Sequence, residues 1–207
     1  MSDKALAFLI DFDGPICSIF DGYSAAAAAK ELAALVSPRV PDIPSIDPLA
    51  ILRAAPPDLA ELIDKQLTTI ELRAVETARS NPEFYELTNA IGHRPWAVVS
   101  NNSRSAIRTY LQRVHPDHVK VPILGRPAGR PDLMKPNPHL LLEALKVLSV
   151  PAEAAQFIGD SVTDIAAGRR AGVRTIGYAN KPGKAKLLAE AGADDMAIQG
   201  QPWWLAL

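Results

Sequence analysis

The chain has 207 residues, enough for one sizeable hydrophobic core with or without a small accessory domain. Its formal net charge of −1 gives no general attraction to nucleic acid or to an anionic membrane surface, so we expect neither as a partner. A single cysteine, Cys17, excludes an internal disulfide and fits a reducing compartment. Only a short apolar run lies near the N-terminus, where a secretory or membrane-spanning segment would need more. We therefore predict a cytoplasmic protein that is a monomer or a homodimer.

The first predicted element is the apolar run 5–10, which lacks alternation and is typical of a strand buried on both faces of a parallel sheet. Similar runs predict strands at 96–99, 156–158 and 175–178, with weaker candidates at 121–124 and 196–198. Helical periodicity predicts helices between them, at 104–114, 138–148, 162–171 and 184–191. Strands that alternate with helices indicate an α/β fold, a doubly wound, Rossmann-like parallel sheet.

One segment interrupts this alternation. From residue 16 to about residue 93 no strand is predicted, and the patterns are helical at 24–36, at 56–80 as one helix or two, and at 83–91. Prolines between the first two of these patterns predict a stiff loop: Pro38, Pro41, Pro44 and Pro48. We predict a small all-helical cap domain at 16–89, inserted after the first strand of a core made of 1–15 and 90–207.

Residues capable of phosphoryl-transfer chemistry follow the predicted strands. Ligands of open parallel sheets bind beyond the carboxyl ends of the strands, so residues at those ends are expected to meet. Asp11, Asp13 and Gly14 follow the first strand, and Ser100 and Asn101 follow the second. The later strand that ends at 158 leads into Asp160 and Asp164, and Lys135 precedes the helix before it.

Each residue type has a use in this chemistry. Asp11 and Asp13 project to the same side of an extended segment, so one can attack phosphorus while the other protonates the leaving alcohol. Mg²⁺ prefers oxygen ligands, and Asp160 completes a carboxylate site for it. Gly14 lets the backbone approach a phosphate closely. Three further groups offer amides or positive charge to the phosphoryl group: Ser100, Asn101 and Lys135.

These segments, in this order, resemble the four motifs of haloacid dehalogenase-like hydrolases: Asp11-Phe12-Asp13-Gly14, Ser100, Lys135-Pro136 and Gly159-Asp160-Ser161-Val162-Thr163-Asp164. The resemblance extends from Asp11 to about residue 198, and the helical insertion resembles the family's small cap. It implies a nucleophile at Asp11 and an acid/base at Asp13. It also implies phosphate contacts from Ser100 and Lys135.

The resemblance further implies a Mg²⁺ site formed by Asp11, the Asp13 carbonyl and Asp160, with Asp164 beside the metal or orienting Lys135. Phosphatases of the family resemble this chain in having a second Asp at position 13, whereas haloacid dehalogenases lack it. The expected activity is therefore Mg²⁺-dependent hydrolysis of a small phosphorylated metabolite through an aspartyl-phosphate. Pro15 departs from the pattern of relatives and removes one backbone amide donor.

Several alternatives stay open. A sugar-phosphate mutase would use the same residues, and a phosphate- or partner-binding module could keep the fold without turnover. Asp11 and Asp13 alone would fit an ordinary turn, and Asp164 also has capping-box spacing to Ser161. The sequence leaves undecided which of four cap side chains face the substrate: Tyr23, Arg53, Lys65 and Arg73. It also leaves undecided what Arg126 and Arg130 contact. Trp203 and Trp204 could pack on the core or form a dimer contact.

Overall fold

A computed structural model describes residues 7–37, 39 and 46–207 of the chain. Pro38, Pro41 and Pro44, and the first two residues of the predicted strand 5–10, lie outside the described residues. Within the described part no helix has both the length and the apolar character needed to cross a bilayer. The strands are β1 Ala7–Ile10, β2 Cys17–Ser18, β3 Arg79–Ser80, β4 Trp96–Val99, β5 Ile123–Leu124, β6 Ala155–Gly159, β7 Arg174–Ala179 and β8 Asp195–Ile198. The α-helices are α1 Ala25–Val36, α2 Pro48–Ala54, α3 Ala60–Ala74, α4 Phe84–Ile91, α5 Arg104–Val114, α6 His139–Leu148, α7 Val162–Ala171 and α8 Lys184–Glu190.

Six strands form one parallel sheet in the order β5-β4-β1-β6-β7-β8. The chain adds strands first to one side of β1 and then to the other, so the strand order reverses between β1 and β6. This confirms the predicted doubly wound parallel sheet. The carboxyl ends of β1 and β6 are direct neighbours, which is where such sheets bind ligands.

The central strand β1 is buried on both faces, as its uninterrupted apolar run indicates. Phe8 and Ile10 pack on one side of the sheet with α4 and α5, and Leu9 packs on the other with α6 and α7. A separate hydrophobic cluster joins α1, α2 and α3, and it includes Met134 from the segment before α6.

The inserted segment differs from the prediction in two places. It contains strands, because β2 and β3 form a two-stranded antiparallel ribbon in which Cys17 pairs with Ser80. It also contains helix α2, which begins at Pro48, a residue predicted to lie in a loop. The Asp47 carboxylate accepts a hydrogen bond of 2.9 Å from the Leu49 amide, and proline suits a first helical position because the amide that it lacks would have no partner there.

Candidate active site

The carboxyl ends of β1, β4 and β6 meet at one edge of the sheet, and the predicted site residues lie there around a cavity of about 470 Å³. The same cavity is lined by residues from the loop before α2 and from α2 itself. Its walls include Asp11, Asp13, Ser100, Asn101, Lys135, Asp160 and Asp164 from the core and Phe20, Ile46, Pro48, Leu49 and Arg53 from the inserted segment.

Lys135 lies at the centre of the site, with its side chain only 2% exposed. Its ammonium group is 2.9 Å from Asp11 Oδ1 and 2.6 Å from Asp164 Oδ1, and it donates a hydrogen bond of 3.0 Å to the Val99 carbonyl. Burial acts to lower the pKa of Lys135, but the two carboxylates outweigh burial and raise it. The lysine therefore stays charged, with a hydrogen bond to one carbonyl and an ion pair to each of two carboxylates.

Asp164 has two structural tasks at once. Its Oδ2 accepts hydrogen bonds from the amide of Asp160 at 3.1 Å and from the amide and hydroxyl of Ser161 at 3.0 and 2.7 Å. The Ser161 hydroxyl accepts in return from the Asp164 amide, which completes a capping box at the start of α7. Its other oxygen, Oδ1, contacts Lys135. The capping role and the contact with the site thus occur together.

Asp11 and Asp13 lie side by side after β1 and differ in their surroundings. Burial and the nearby Asp164 raise the pKa of Asp11 well above its usual range, although Lys135 opposes this. Asp13 accepts a hydrogen bond of 3.0 Å from the Ile19 amide, and burial raises its pKa to about 6. A carboxyl group with that pKa is partly protonated near neutral pH, which suits a residue that both gives and takes protons.

Asp160 has two partners that the sequence did not predict. Lys184 forms an ion pair with Asp160 Oδ2, and Asn180 donates a hydrogen bond of 3.0 Å to the same oxygen. These two residues follow β7 and begin α8, so the strand next to β6 supplies them. Gly14 packs directly on the Asp160 carboxyl at a φ of +104°, a conformation that favours glycine.

The donor set at this edge fits a divalent cation with oxygen ligands. Carboxylate oxygens of Asp11, Asp160 and Asp164 lie within 4.8 Å of one another, the only such grouping of acidic, histidine or cysteine side chains among the described residues. A Mg²⁺ ion would stabilise three converging carboxylates of this kind, because it would offset the repulsion between their negative charges. Because both oxygens of Asp164 already have protein partners, Asp11 and Asp160 are the better direct ligands.

The loop 100–103 leads from β4 into α5. Ser103 is the N-cap of α5, since its hydroxyl accepts from the Ala106 amide, and Ser100 is therefore not needed for capping. The Asn101 side chain accepts from the Lys135 amide at 2.8 Å and donates to the Lys135 carbonyl at 3.1 Å. The loop therefore fixes the backbone that carries the central lysine.

The two arginines of segment 125–132 do not line this cavity. The Arg126 side chain is 1% exposed and forms ion pairs with Asp64 and Glu71 of α3. Arg130 lies on the surface, paired with Asp132 at 2.7 Å. Arg126 thus joins the inserted segment to the core.

Among the cap side chains singled out from the sequence, Arg53 lines the cavity. Its side chain is 33% exposed, donates to the Lys135 carbonyl at 3.3 Å, and lies 3.9 Å from Asp47. Arg73 is instead paired with Glu31 at 3.2 Å and lies 5.5 Å from the Tyr23 ring. Arg53 is therefore the one of these side chains that lines the cavity together with Asp11 and Lys135.

At the C-terminus, Trp203 packs on the core. Its indole donates a hydrogen bond of 3.1 Å to the Glu83 carboxylate, which also accepts from the Tyr178 hydroxyl at 3.0 Å. Asn81 donates to the Tyr178 hydroxyl at 2.8 Å and to the carbonyls of Gly14 and Pro15 at 3.0 Å, which connects these residues to the loop after Asp13. Trp204 lies against Trp203, with ring centroids 5.9 Å apart.

Comparison with known proteins gives consistent results. Residues 6–172 match the model of the haloacid dehalogenase-like hydrolase family. A curated relative, the plasmid phosphoglycolate phosphatase of Cupriavidus necator, is 40% identical over 67 residues, which are 30% of this chain and only 29% of the relative. A hydrolase from Pseudomonas syringae superposes with a TM-score of 0.73 at 21% identity, covering 97% of this chain and 95% of that one. CbbY from Rhodobacter sphaeroides, in complex with phosphate, superposes with a TM-score of 0.69 at 18% identity, covering 93% of each chain.

Proposed function

Because the chain belongs to the haloacid dehalogenase-like hydrolases, we propose that it is a Mg²⁺-dependent phosphatase of small phosphorylated metabolites. The observation that carries this proposal is the pairing of Asp11 and Asp13 at one cavity, with the buried charge of Lys135 on Asp11. A nucleophile, a separate proton donor and a fixed cation are what phosphomonoester hydrolysis through a carboxylate needs.

In the proposed mechanism the Asp11 carboxylate attacks phosphorus, and a new O–P bond forms as the bond to the ester oxygen breaks. Asp13 gives its proton to the departing alkoxide. Asp13 then takes a proton from a water molecule that attacks the aspartyl-phosphate, and this attack releases inorganic phosphate and restores Asp11. The pKa of about 6 for Asp13 supports both directions of proton transfer.

Asp11, the backbone carbonyl of Asp13 and Asp160 are the residues that we propose to hold Mg²⁺. When bound, the ion would offset the charge that the phosphate adds to a site already rich in carboxylates. Asp164 acts on the site through Lys135, whose position it fixes from the start of α7. Lys135 provides positive charge for the phosphoryl oxygens, and the Asn101 amide, in the loop that Ser100 begins, provides a donor to them.

The size of the cavity supports the proposed substrate class. A volume of about 470 Å³, closed on one side by α2 and the residues before it, admits a small metabolite and excludes a polymer. Arg53 at that wall supports substrates with a second anionic group, because burial lowers its pKa more than the nearby Asp47 restores it. Phosphoglycolate, named for the Cupriavidus necator relative, carries such a group.

We propose that the segment 16–89 acts as the cap of a core made of 1–15 and 90–207. The antiparallel pairing of β2 with β3 supports this proposal, because it brings the start of the segment next to residues 79–80, as a hinge requires. Closure of α1 and α2 over Asp11 would exclude bulk water during the attack. The protein is expected to work in the cytoplasm as a monomer or homodimer, on a small phosphorylated substrate.

The proposal is tested by measuring phosphate release from a panel of small phosphoesters, with and without Mg²⁺. Wild type is compared with Asp11→Asn and with Asp58→Asn, which makes the same chemical change on an exposed surface ion pair. We expect Mg²⁺-dependent release that Asp11→Asn abolishes and Asp58→Asn retains. Folded wild-type protein that releases no phosphate from any ester would instead favour a mutase or a binding module.

A further inference from the structure

A buried carboxylate of the inserted segment holds the loop that carries Ser100. Glu71, in α3, is fully buried and accepts hydrogen bonds from the side-chain amide of Asn102 at 3.1 Å and from the Ser103 amide at 2.9 Å. Both donors belong to the loop between β4 and α5. Helix α3 is therefore attached to the loop that borders the cavity.

The Glu71 contact also determines the direction of the Ser100 hydroxyl. A carboxylate accepts but does not donate, so the NH₂ group of Asn102 has to face Glu71 and its oxygen has to face the opposite way. That oxygen, Oδ1, accepts a hydrogen bond of 3.1 Å from the Ser100 hydroxyl. The polarity of the chain Glu71–Asn102–Ser100 is thus fixed at its buried end.

The guanidinium of Arg126 compensates the charge of this buried carboxylate. One of its terminal nitrogens, NH1, is 2.9 Å from Glu71 Oε1 and donates to the Asn101 carbonyl at 2.7 Å, while its Nε contacts Asp64 Oδ1 at 2.5 Å. If either partner of this buried ion pair is removed, the other is left as an unpaired buried charge. An apolar contact between α3 and the rest of the protein would not carry that cost. A buried ionic contact does, however, specify geometry, and this one specifies the geometry of the loop 100–103.

We infer that Glu71 is a positioning residue, which sets the Ser100–Asn102 loop for phosphoryl binding. This inference rests on the proposed phosphatase function. It assigns to an inserted-segment residue a task at the phosphate end of the cavity, where the residue itself makes no contact with substrate.

The test compares Glu71→Gln with Asp64→Asn. The two variants remove the same charge from the same arginine, but Asp64 contacts Arg126 and the Gly129 amide and not the loop 100–103. Affinity for inorganic phosphate in the presence of Mg²⁺ is measured by calorimetry, and KM and kcat are measured on the best ester, all below the unfolding temperature of both variants. We expect Glu71→Gln to weaken phosphate binding and raise KM by about tenfold or more, and Asp64→Asn to change either by less than about threefold.

Equal effects in the two variants, or no effect in either, would overturn the inference, since a purely structural role lowers stability without a selective change in phosphate affinity. Should Glu71→Gln not fold, Asn102→Ala replaces it, because this change removes the amide that connects Glu71 to Ser100. Unchanged phosphate affinity in Asn102→Ala would also overturn the inference. Wild-type protein that neither binds nor releases phosphate would overturn the proposed function, and the inference with it.

Discussion

Replacing Lys135 with methionine removes the one cation shared by two buried carboxylates and keeps the length and most of the volume of the side chain. Asp11 and Asp164, with side chains 9% and 1% exposed, lose their ammonium partner, and the Val99 carbonyl loses its hydrogen bond. Breaking a buried ion pair by removing one partner costs about 3–5 kcal/mol. We expect Lys135→Met to lower the free energy of unfolding at pH 7.5 by about that amount.

The loss should also depend on pH, with a sign fixed by the carboxylates. Burial and Asp164 already raise the pKa of Asp11, and Lys135 is among the groups that oppose the rise. In the variant the folded-state pKa of Asp11 rises further above its value in the unfolded chain, so the folded protein takes up a proton there as the pH falls. The deficit relative to wild type is therefore greatest at pH 7.5 and shrinks as the pH falls towards 5.

Urea unfolding at pH 7.5 and pH 5.5, with EDTA present so that no metal replaces the lost charge, measures both effects. Lys184→Met is the matched control. Lys184 is partly exposed and pairs with one carboxylate, that of Asp160, whereas Lys135 is buried and pairs with two. A loss of about 1 kcal/mol is expected for it. If Lys135→Met cost less than about 1 kcal/mol at pH 7.5, or equally much at both pH values, the argument for a buried cation between two charged carboxylates would be wrong.

Two further predictions concern the loop after β1 and the cap. Gly14→Ala should destabilise the protein by about 3 kcal/mol and abolish phosphate release, because an added Cβ would overlap the Asp160 carboxyl at a positive φ. Gly183→Ala, at a φ of +79° with no described atom within 4 Å of the added Cβ, should cost only about 1 kcal/mol in thermal unfolding and retain activity. Arg53→Met should raise KM about tenfold for esters with a second anionic group and change it little for esters with a neutral tail. Equal KM changes for the two kinds of ester would show that Arg53 does not select the second charge.

The sequence predicts the sheet and its helices well because their signals are local. The uninterrupted apolar runs give the strands of the sheet, and helices α5 and α7 have the predicted bounds. The predicted family is confirmed, since residues 6–172 match the model of the haloacid dehalogenase-like hydrolases. Strands β2 and β3 escape prediction because a two-residue strand has no periodicity, and α2 escapes because Pro48, its first residue, follows other prolines.

The partners of the site residues could not be predicted, since they come from distant parts of the chain. Lys184 and Asn180 reach Asp160 because β7 lies beside β6, which is a property of the sheet order and not of any local spacing. Arg126 and Glu71 are 55 residues apart and meet where α3 packs near α5. Their types, a basic residue in a loop and an acidic one in an amphipathic helix, are those of ordinary surface residues.

The charge balance around Arg126 and Arg53 distinguishes these two arginines. Burial acts to lower the pKa of both, but Glu71 and Asp64 outweigh it at Arg126, whereas Asp47, 3.9 Å away, does not at Arg53. A further anion would gain little at Arg126, whose side chain is enclosed and paired. At Arg53 an anion would supply what burial has removed, and the guanidinium lies at the wall of the cavity that contains Asp11. Arg126 is therefore paired within the protein, whereas Arg53 is the arginine that we propose to meet a ligand's charge, and the surrounding carboxylates account for the difference.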